Sequence, residues 1–433
     1  MIRMLAILAA LLGLAAVVAI DAPTAGGAPA VTATYASEPR ILPAVCPGAQ
    51  TIPVGDIQSG DAELDSGSDD VAFDVLPEGG VVIDQGAVFD GVGMSLERIG
   101  SGDIAGLAGL SCAPTAREQW LVGGSTVLGA SARLVLSNPA DSSVRAEVAL
   151  HTAVGPVDGV TSVVIGPGAQ RTVLLEAIEP EMPAVAVHIT AGGLGVSAAL
   201  QDSRLDGFAP AGSDWVVASA VGDSLGVHVP VESDGGTTAM LSLFAPDGAE
   251  VSLAMASSDG AVPWLGDSEL TLDPGVLTEV PVPVAGPGTV LIDASAPVTA
   301  SVRARVARDW AASEGERVYD LAWTGAQRRS DVRERAAIVP AGQVVLQVHS
   351  DVAGTATFEA EGETLEVPVS PDVTALVQLN LEPGTRLSSS SESTWTLVVT
   401  DLPGFITTLE PVSVELESED TTVTVGGTYP ELR

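Results

Sequence analysis

Trp120-Leu-Val-Gly-Gly-Ser-Thr-Val-Leu-Gly-Ala-Ser-Ala-Arg-Leu-Val-Leu-Ser-Asn138-Pro139 decides how this chain is read. The apolar start predicts a strand, Gly123-Gly124 a tight turn, the run through Leu134-Val-Leu136 a second strand, and Asn138-Pro139 a polar stop. Glycine permits the turn and gives Trp120 a flat surface to pack over. Short strand candidates follow at Ala146–Leu150, Ser162–Ile165, Arg171–Leu175, Val185–Ile189 and Val196–Leu200, divided by Gly, Pro, Asn or Asp. No segment carries a sustained helical stripe.

One turn-plus-strand unit recurs downstream. It reads Gly166-Pro-Gly-Ala-Gln-Arg-Thr-Val-Leu-Leu175, then Asp273-Pro-Gly-Val-Leu-Thr-Glu-Val280, then Ser370-Pro-Asp-Val-Thr-Ala-Leu-Val377. A period of about 100 residues suits a sandwich of immunoglobulin size and is too long for a propeller blade. The expected fold is all-β, with tandem immunoglobulin-like β-sandwich modules at 119–213, 214–311 and 312–412. Trp120 and Trp215 mark the openings of the first two modules, and Trp310 or Trp323 that of the third. An irregular β region at 37–118 precedes them, and an acidic tail at 413–433 follows.

Composition agrees with that class. Of 433 residues, 46% are hydrophobic but only 3% aromatic, and Gly (47) and Pro (29) are abundant, which favours strands and turns. All 18 basic residues are Arg against 56 acidic ones, giving a net charge of −38. That balance serves solubility by self-repulsion and makes nucleic acid a poor partner. Without Lys, a Schiff base, a phosphate-loop lysine and Lys–Asn isopeptide cross-links are all excluded.

Residues 1–36 read as an export segment. Arg3 is followed by an apolar run from Met4 to Ile20, with small-residue cleavage candidates at Ala28-Pro-Ala30 and Val31-Thr-Ala33. The run could equally stay as a membrane anchor, being about 17 residues long. In an exported chain the isolated pair Cys46 and Cys112 reads as one disulfide, two buried thiols being the plainer alternative. A bond between them would close about 65 residues and contribute roughly 4 kcal/mol. Asp61, Glu63 and Asp65 alternate like a calcium loop, but no Glu closes it, so a solvated acidic turn is expected.

No catalytic constellation stands out. His151, His188, His228 and His349 are scattered without metal-ligand spacing, and no metal or cofactor is expected. Gly123-Gly-Ser125 lacks the Gly-x-Ser-x-Gly pattern of a nucleophile elbow. The local anomaly is cationic: Arg303, Arg305, Arg308, Arg317, Arg328, Arg329, Arg333 and Arg335 crowd the junction of the second and third modules. Pairing with nearby acids is one reading. The other is an anion- or partner-binding site at Arg328, Arg329, Arg333 and Arg335, since guanidinium forks bind phosphate and carboxylate.

Cys46-Pro-Gly48, Ser111-Cys112, Trp120-x-Val-Gly-Gly-Ser-Thr126 and Leu134-x-Leu-x-Asn138-Pro139 together resemble an uncharacterised family of exported actinobacterial proteins, a domain of unknown function. The resemblance spans about 40 to 412 and implies export and a cell-envelope setting, with no catalytic residues to carry over. The function expected is therefore non-catalytic: binding or scaffolding a cell-envelope protein or glycan, with membrane contact only through residues 4–20. The alternative is an envelope hydrolase whose carboxylates are brought together by the fold.

Overall fold

The computed structural model describes residues 31–36, 43–51, 70–207, 209–231, 237–264, 266–283, 286–308, 318–401, 404–413 and 420–425. The apolar run 4–20, the acidic loop 61–69, Trp310 and Arg317 lie outside the described residues. The chain divides into two units, 1–40 with 416–433, and 41–415. In the first, Val31–Ala36 pairs antiparallel with Asp420–Val425, from Val31 opposite Val425 to Ala36 opposite Asp420. Sequence reading assigned those stretches to a leader and a tail; both are rich in β-branched residues that suit strands.

The second unit is all-β, and a 3₁₀ turn at Leu175–Ala177 is its only helical element among the described residues. Its strands follow one pattern three times over. In the first repeat, one sheet runs Ala169–Leu174, Ala130–Asn138, Ser197–Asp206, Ala209–Val216. The other runs Thr161–Ile165, Val144–Thr152, Val185–Ala191, Glu118–Val122. The third repeat has the same two orders: Ala375–Leu379, Gln343–His349, Thr394–Thr400, Ile406–Leu409, and Glu363–Val369, Gly354–Ala360, Arg386–Ser389, Arg335–Ile338. The turn-plus-strand unit seen in the sequence supplies the equivalent strand each time, at Ala169–Leu174, Leu277–Val282 and Ala375–Leu379.

The second repeat differs in one element. Gly288–Arg308 is a single strand whose first half pairs with Val221–Val229 and Ala249–Ser257 and whose second half pairs with Thr237–Phe244 and Val318–Gly325. It does the work of two strands elsewhere and fuses two sheets into one of nine strands. At the same place the first repeat breaks at Ala191-Gly-Gly-Leu-Gly-Val196, where glycine allows a turn, and the third at Ser390-Ser-Glu-Ser393, whereas Ala294-Ser-Ala-Pro-Val-Thr299 stays extended.

Alternation buries one face of each strand; Val144, Ala146, Val148 and Leu150 point inward from Val144–Thr152 while Arg145 and Glu147 face out. Each repeat has its own apolar cluster, drawn from both of its sheets. The clusters also borrow. Leu321 and Trp323, from the second repeat, complete the first core, and Met94, Leu96 and Leu107 enter the third.

Three sequence expectations change here. Trp120-to-Asn138 is strand, turn, strand as read, but its strands enter different sheets, so the turn is a crossing between layers and not a hairpin. Trp120 does not cover the glycines: a Cβ at Gly123, which has φ +141, would lie 2.7 Å from the ring of Trp323. Trp215 and Trp323 sit on the closing strands Ala209–Val216 and Val318–Gly325, which hydrogen-bond to the repeat before them. By that pairing Trp215 and Trp323 stand at the ends of the first and second repeats and not at the starts of the next.

The region before the repeats forms two small sheets. One joins Val81–Ile83, Gly86–Asp90, Pro43–Cys46 and Ala113–Pro114, the other Val71–Leu76, Met94–Ile99 and Gly106–Ser111. Cys46 and Cys112 are disulfide-bonded and buried against Ala44 and Phe89.

Gly106–Ser111 lies where the three closing strands Ala209–Val216, Val318–Gly325 and Ile406–Leu409 converge. Two buried carboxylates join the elements there. Asp214 accepts hydrogen bonds from the Gly109 amide (3.1 Å), the Thr407 hydroxyl (2.8 Å) and the Trp323 amide (2.8 Å). Asp320 accepts from the amides of Leu107 (3.0 Å) and Ile406 (3.1 Å). Strands that are not sheet neighbours thus satisfy their backbone donors through a shared side chain.

Candidate functional site

A cleft of about 870 Å³ opens beside this hub. Its lining comes from the disulfide-tied region and all three repeats. Ala113 and Pro114 follow Cys112 directly, and their pairing with Val45 and Ala44 fixes that edge. Ala218–Ala220 and Gly325–Gln327 lie side by side, with the Ala220 amide donating to the Ala326 carbonyl at 2.9 Å.

One wall is aromatic. Trp120 on Glu118–Val122 stacks on His188, centroids 4.1 Å apart and planes at 7°. The register places them directly opposite each other on paired strands. His151 and Phe244 close around the same indole at 5.6 and 4.8 Å. His188 Nε2 meets Glu118 Oε1 at 3.0 Å, so the outermost pair of the wall is polar. Burial, with His188 adjacent, lowers the pKa of His151 and favours its neutral form.

The facing wall is charged. The Arg333 side chain grips Asp331 with Nε at 2.9 Å and Nη2 at 2.7 Å. Burial pushes Asp331 up, but the hydrogen bonds and charge of Arg333 outweigh it, leaving its carboxyl below the usual range. Glu410 behaves oppositely. Burial lifts it to about 7, against the pull of the Gly325 amide, which donates to Oε1 at 2.7 Å. One cleft therefore holds a carboxylate that stays ionised and another that carries a proton near neutrality.

Three of the four arginines singled out in the sequence, Arg328, Arg333 and Arg335, line this cleft. Arg328 is exposed and donates from Nε to the Val221 carbonyl at 2.9 Å. Arg335 is buried, donates to Gln327 Oε1 at 2.8 Å and to the Ser393 carbonyl, and burial lowers it to about 10. Arg329 is not part of the lining; it pairs with Asp351 at 3.0 Å and with Asp293. These four arginines thus divide into Arg329 and Arg333 in ion pairs within the chain, Arg335 buried on neutral oxygens, and Arg328 exposed at the cleft.

Sequence reasoning passed over Glu410, Asp331 and the histidines of the wall. In the sequence His151 and His188 stand far apart, and their meeting depends on Val144–Thr152 pairing with Val185–Ala191. Asp214 and Asp320 did carry a signal: each is a lone charge inside an apolar strand, Ser213-Asp-Trp-Val216 and Tyr319-Asp-Leu-Ala-Trp323. Among the described residues no group of three or more His, Cys, Asp or Glu is arranged to hold a metal.

Fold and site define an all-β protein in which three like units and a disulfide-tied region line one open cleft. The chain belongs to a family of unknown function, DUF5719, whose model matches residues 85–379. The match takes in the hub strand, the motifs at 111–139, the first two repeats and most of the third, and leaves Cys46-Pro-Gly48 outside. No curated protein matches the chain.

Proposed function

We propose that this is an exported, non-catalytic cell-envelope protein, built of tandem immunoglobulin-like sandwiches, that binds or scaffolds an envelope protein or glycan in the cleft. The observation that carries this reading is the cleft itself, large enough for a peptide or sugar segment and lined by a stacked aromatic wall facing a charged one. The paired sheets and shared cores of each repeat support the sandwich assignment, and the disulfide suits an oxidising compartment. Residues 4–20 act as a cleaved signal or an anchor; intact mass of the protein from membrane and from culture fluid distinguishes the two.

The test is site-specific cross-linking in cells. A photo-reactive residue replacing Arg328, at the cleft, should capture a discrete envelope component. The same residue replacing Val154, which is 84% exposed and outside the cleft, should not. Equal capture from both positions, or none from either, would remove the basis for the cleft as the contact site.

A second reading, an envelope hydrolase, is favoured by one observation: Glu410 and Asp331 shift in opposite directions within the cleft, as a proton donor and an ionised partner do. Glu410→Gln and Asp331→Asn should then abolish release of reducing ends from purified envelope glycan. Wild-type protein that leaves the glycan intact over a day ends this reading while leaving the binding one standing.

A further inference from the structure

A smaller cavity of about 220 Å³ lies away from the cleft, sharing none of its lining residues. It is bounded by Val127–Ala130, by Arg204 to Asp206 at the end of Ser197–Asp206, and by Gly288–Arg308. Three guanidinium groups line it: Arg204, Arg303 and Arg305. Arg303 and Arg305 are two apart on one extended strand and so share a face. The protein carries a net charge of −38, so three cations around one small cavity need a reason.

Aromatic rings hold these side chains by their faces. Arg204 and Arg303 lie 6.0 and 5.8 Å from the centroid of Trp323, and Arg305 lies 3.5 Å from that of Tyr319. A guanidinium stacked on a ring keeps its in-plane N–H groups for other partners. Carboxylates take only part of that capacity. Asp202 accepts from Arg204 Nε at 2.8 Å, and Asp206 from Arg305 Nη2 at 2.5 Å. Glu279 also feels the charge of Arg204, with burial pushing its carboxyl above the ordinary range. Among the described residues Arg303 has no carboxylate within ion-pair distance; its partner is the Trp323 ring. Nη2 of Arg204 and Nε of Arg305 are buried without a hydrogen-bond partner. These two donors are closed to solvent, so a ligand in the cavity meets the remaining N–H groups of the three forks.

We infer that this cavity binds a small oxyanion, a phosphate group, through Arg303 and Arg305 with Arg204 behind them. Converging forks supply donors from several directions, which suits a tetrahedral phosphate better than a planar carboxylate. The phosphate is either the free ion or the end of a phosphorylated sugar; both present the same oxygens to the arginines. The site is independent of the cleft and of the function proposed for it.

The test is calorimetric titration of the full chain at constant ionic strength with sodium phosphate, glucose 1-phosphate, glucose and sodium chloride. Saturable binding of either phosphate, absent with glucose and chloride, is expected. Binding of phosphate alone assigns the free ion, and tighter binding of glucose 1-phosphate assigns the sugar-linked group. Arg303→Gln should weaken binding about tenfold, the loss of one charge-assisted hydrogen bond. Leu128→Asp places a negative charge at the mouth, on a residue already 62% exposed, and should weaken binding with no change in melting temperature before phosphate is added. This variant keeps the test open even if Arg303→Gln fails to fold. No saturable heat with either phosphate, or wild-type affinity in Leu128→Asp, overturns the inference and leaves the arginines as clamps on the two rings.

Discussion

Asp214 shows how one side chain can set the arrangement of distant segments. Its two oxygens receive donors from three strands that are not its sheet neighbours, at Gly109, Thr407 and Trp323. Asp214→Asn keeps the shape but turns one acceptor into a donor facing other donors. Leaving buried donors unmet costs about 1–3 kcal/mol each, so a loss of roughly 3 kcal/mol is expected in urea unfolding. A change below about 0.5 kcal/mol would mean water reaches the hub and replaces the carboxylate.

Titration is also a residue-scale matter, and two sets of groups oppose each other. Burial lifts Glu97, Asp320 and Glu410 to about 7, from 4.5, 3.8 and 4.5. The folded state therefore holds protons that the unfolded chain releases, and stability falls as pH rises through that window. Burial lowers His228 to about 3 and also lowers His151 and His349 below 6.5. Those groups are neutral when folded, so stability falls as pH drops below the unfolded histidine value. Melting temperature should peak at about pH 5–6.5 and decline on both sides. Glu410→Gln should flatten the alkaline limb in a melting scan from pH 6 to 8; an unchanged limb would show that Glu410 is ionised throughout.

At the scale of elements, the closing strands matter most. Val318–Gly325 is hydrogen-bonded to Gly288–Arg308, yet Leu321 and Trp323 fill the first repeat's core. Trp323 lies over Gly123, and its indole nitrogen donates to Asp202 at 2.9 Å. Trp323→Ala should cost roughly 3–5 kcal/mol, the usual range for emptying a large aromatic site. The damage should appear as faster amide exchange in Ala130–Asn138 and Val185–Ala191, strands of the first repeat. Exchange changes confined to the second repeat would contradict the shared core. Strand identity was legible locally, because alternation and Gly/Pro punctuation depend on near neighbours. The sheet each strand joins was not, because Ala209–Val216 and Val318–Gly325 look the same in sequence whether they close one repeat or open the next.

For the whole molecule, borrowed core residues make the repeats interdependent. A fragment comprising 119–213 lacks Val216, Leu321 and Trp323 from its core and should remain without a cooperative thermal transition. A sharp melt of that fragment would show that each repeat folds alone. The disulfide acts at the same scale. Reducing Cys46–Cys112 frees a loop of about 65 residues and should cost roughly 4 kcal/mol. It also loosens Ala113 and Pro114 at the edge of the cleft, so reduction should weaken partner capture at Arg328 even at temperatures where the reduced protein stays folded.

The sequence alone determined the all-β class, the approximate period, the cysteine pair and the absence of lysine chemistry. Each rests on composition or on short-range pattern, and side-chain alternation in a strand is set by residues two apart. Only the tertiary structure decided that the strands bearing Trp215 and Trp323 close the first two repeats, that Asp214 and Asp320 join the closing strands, and that Trp120, Glu410 and Asp331 share one cleft. Those meetings depend on strand register and on contacts between residues far apart in the chain, such as Asp214 with Gly109 and Thr407. Nothing in a local window of sequence distinguishes a buried carboxylate with waiting donors from one facing water.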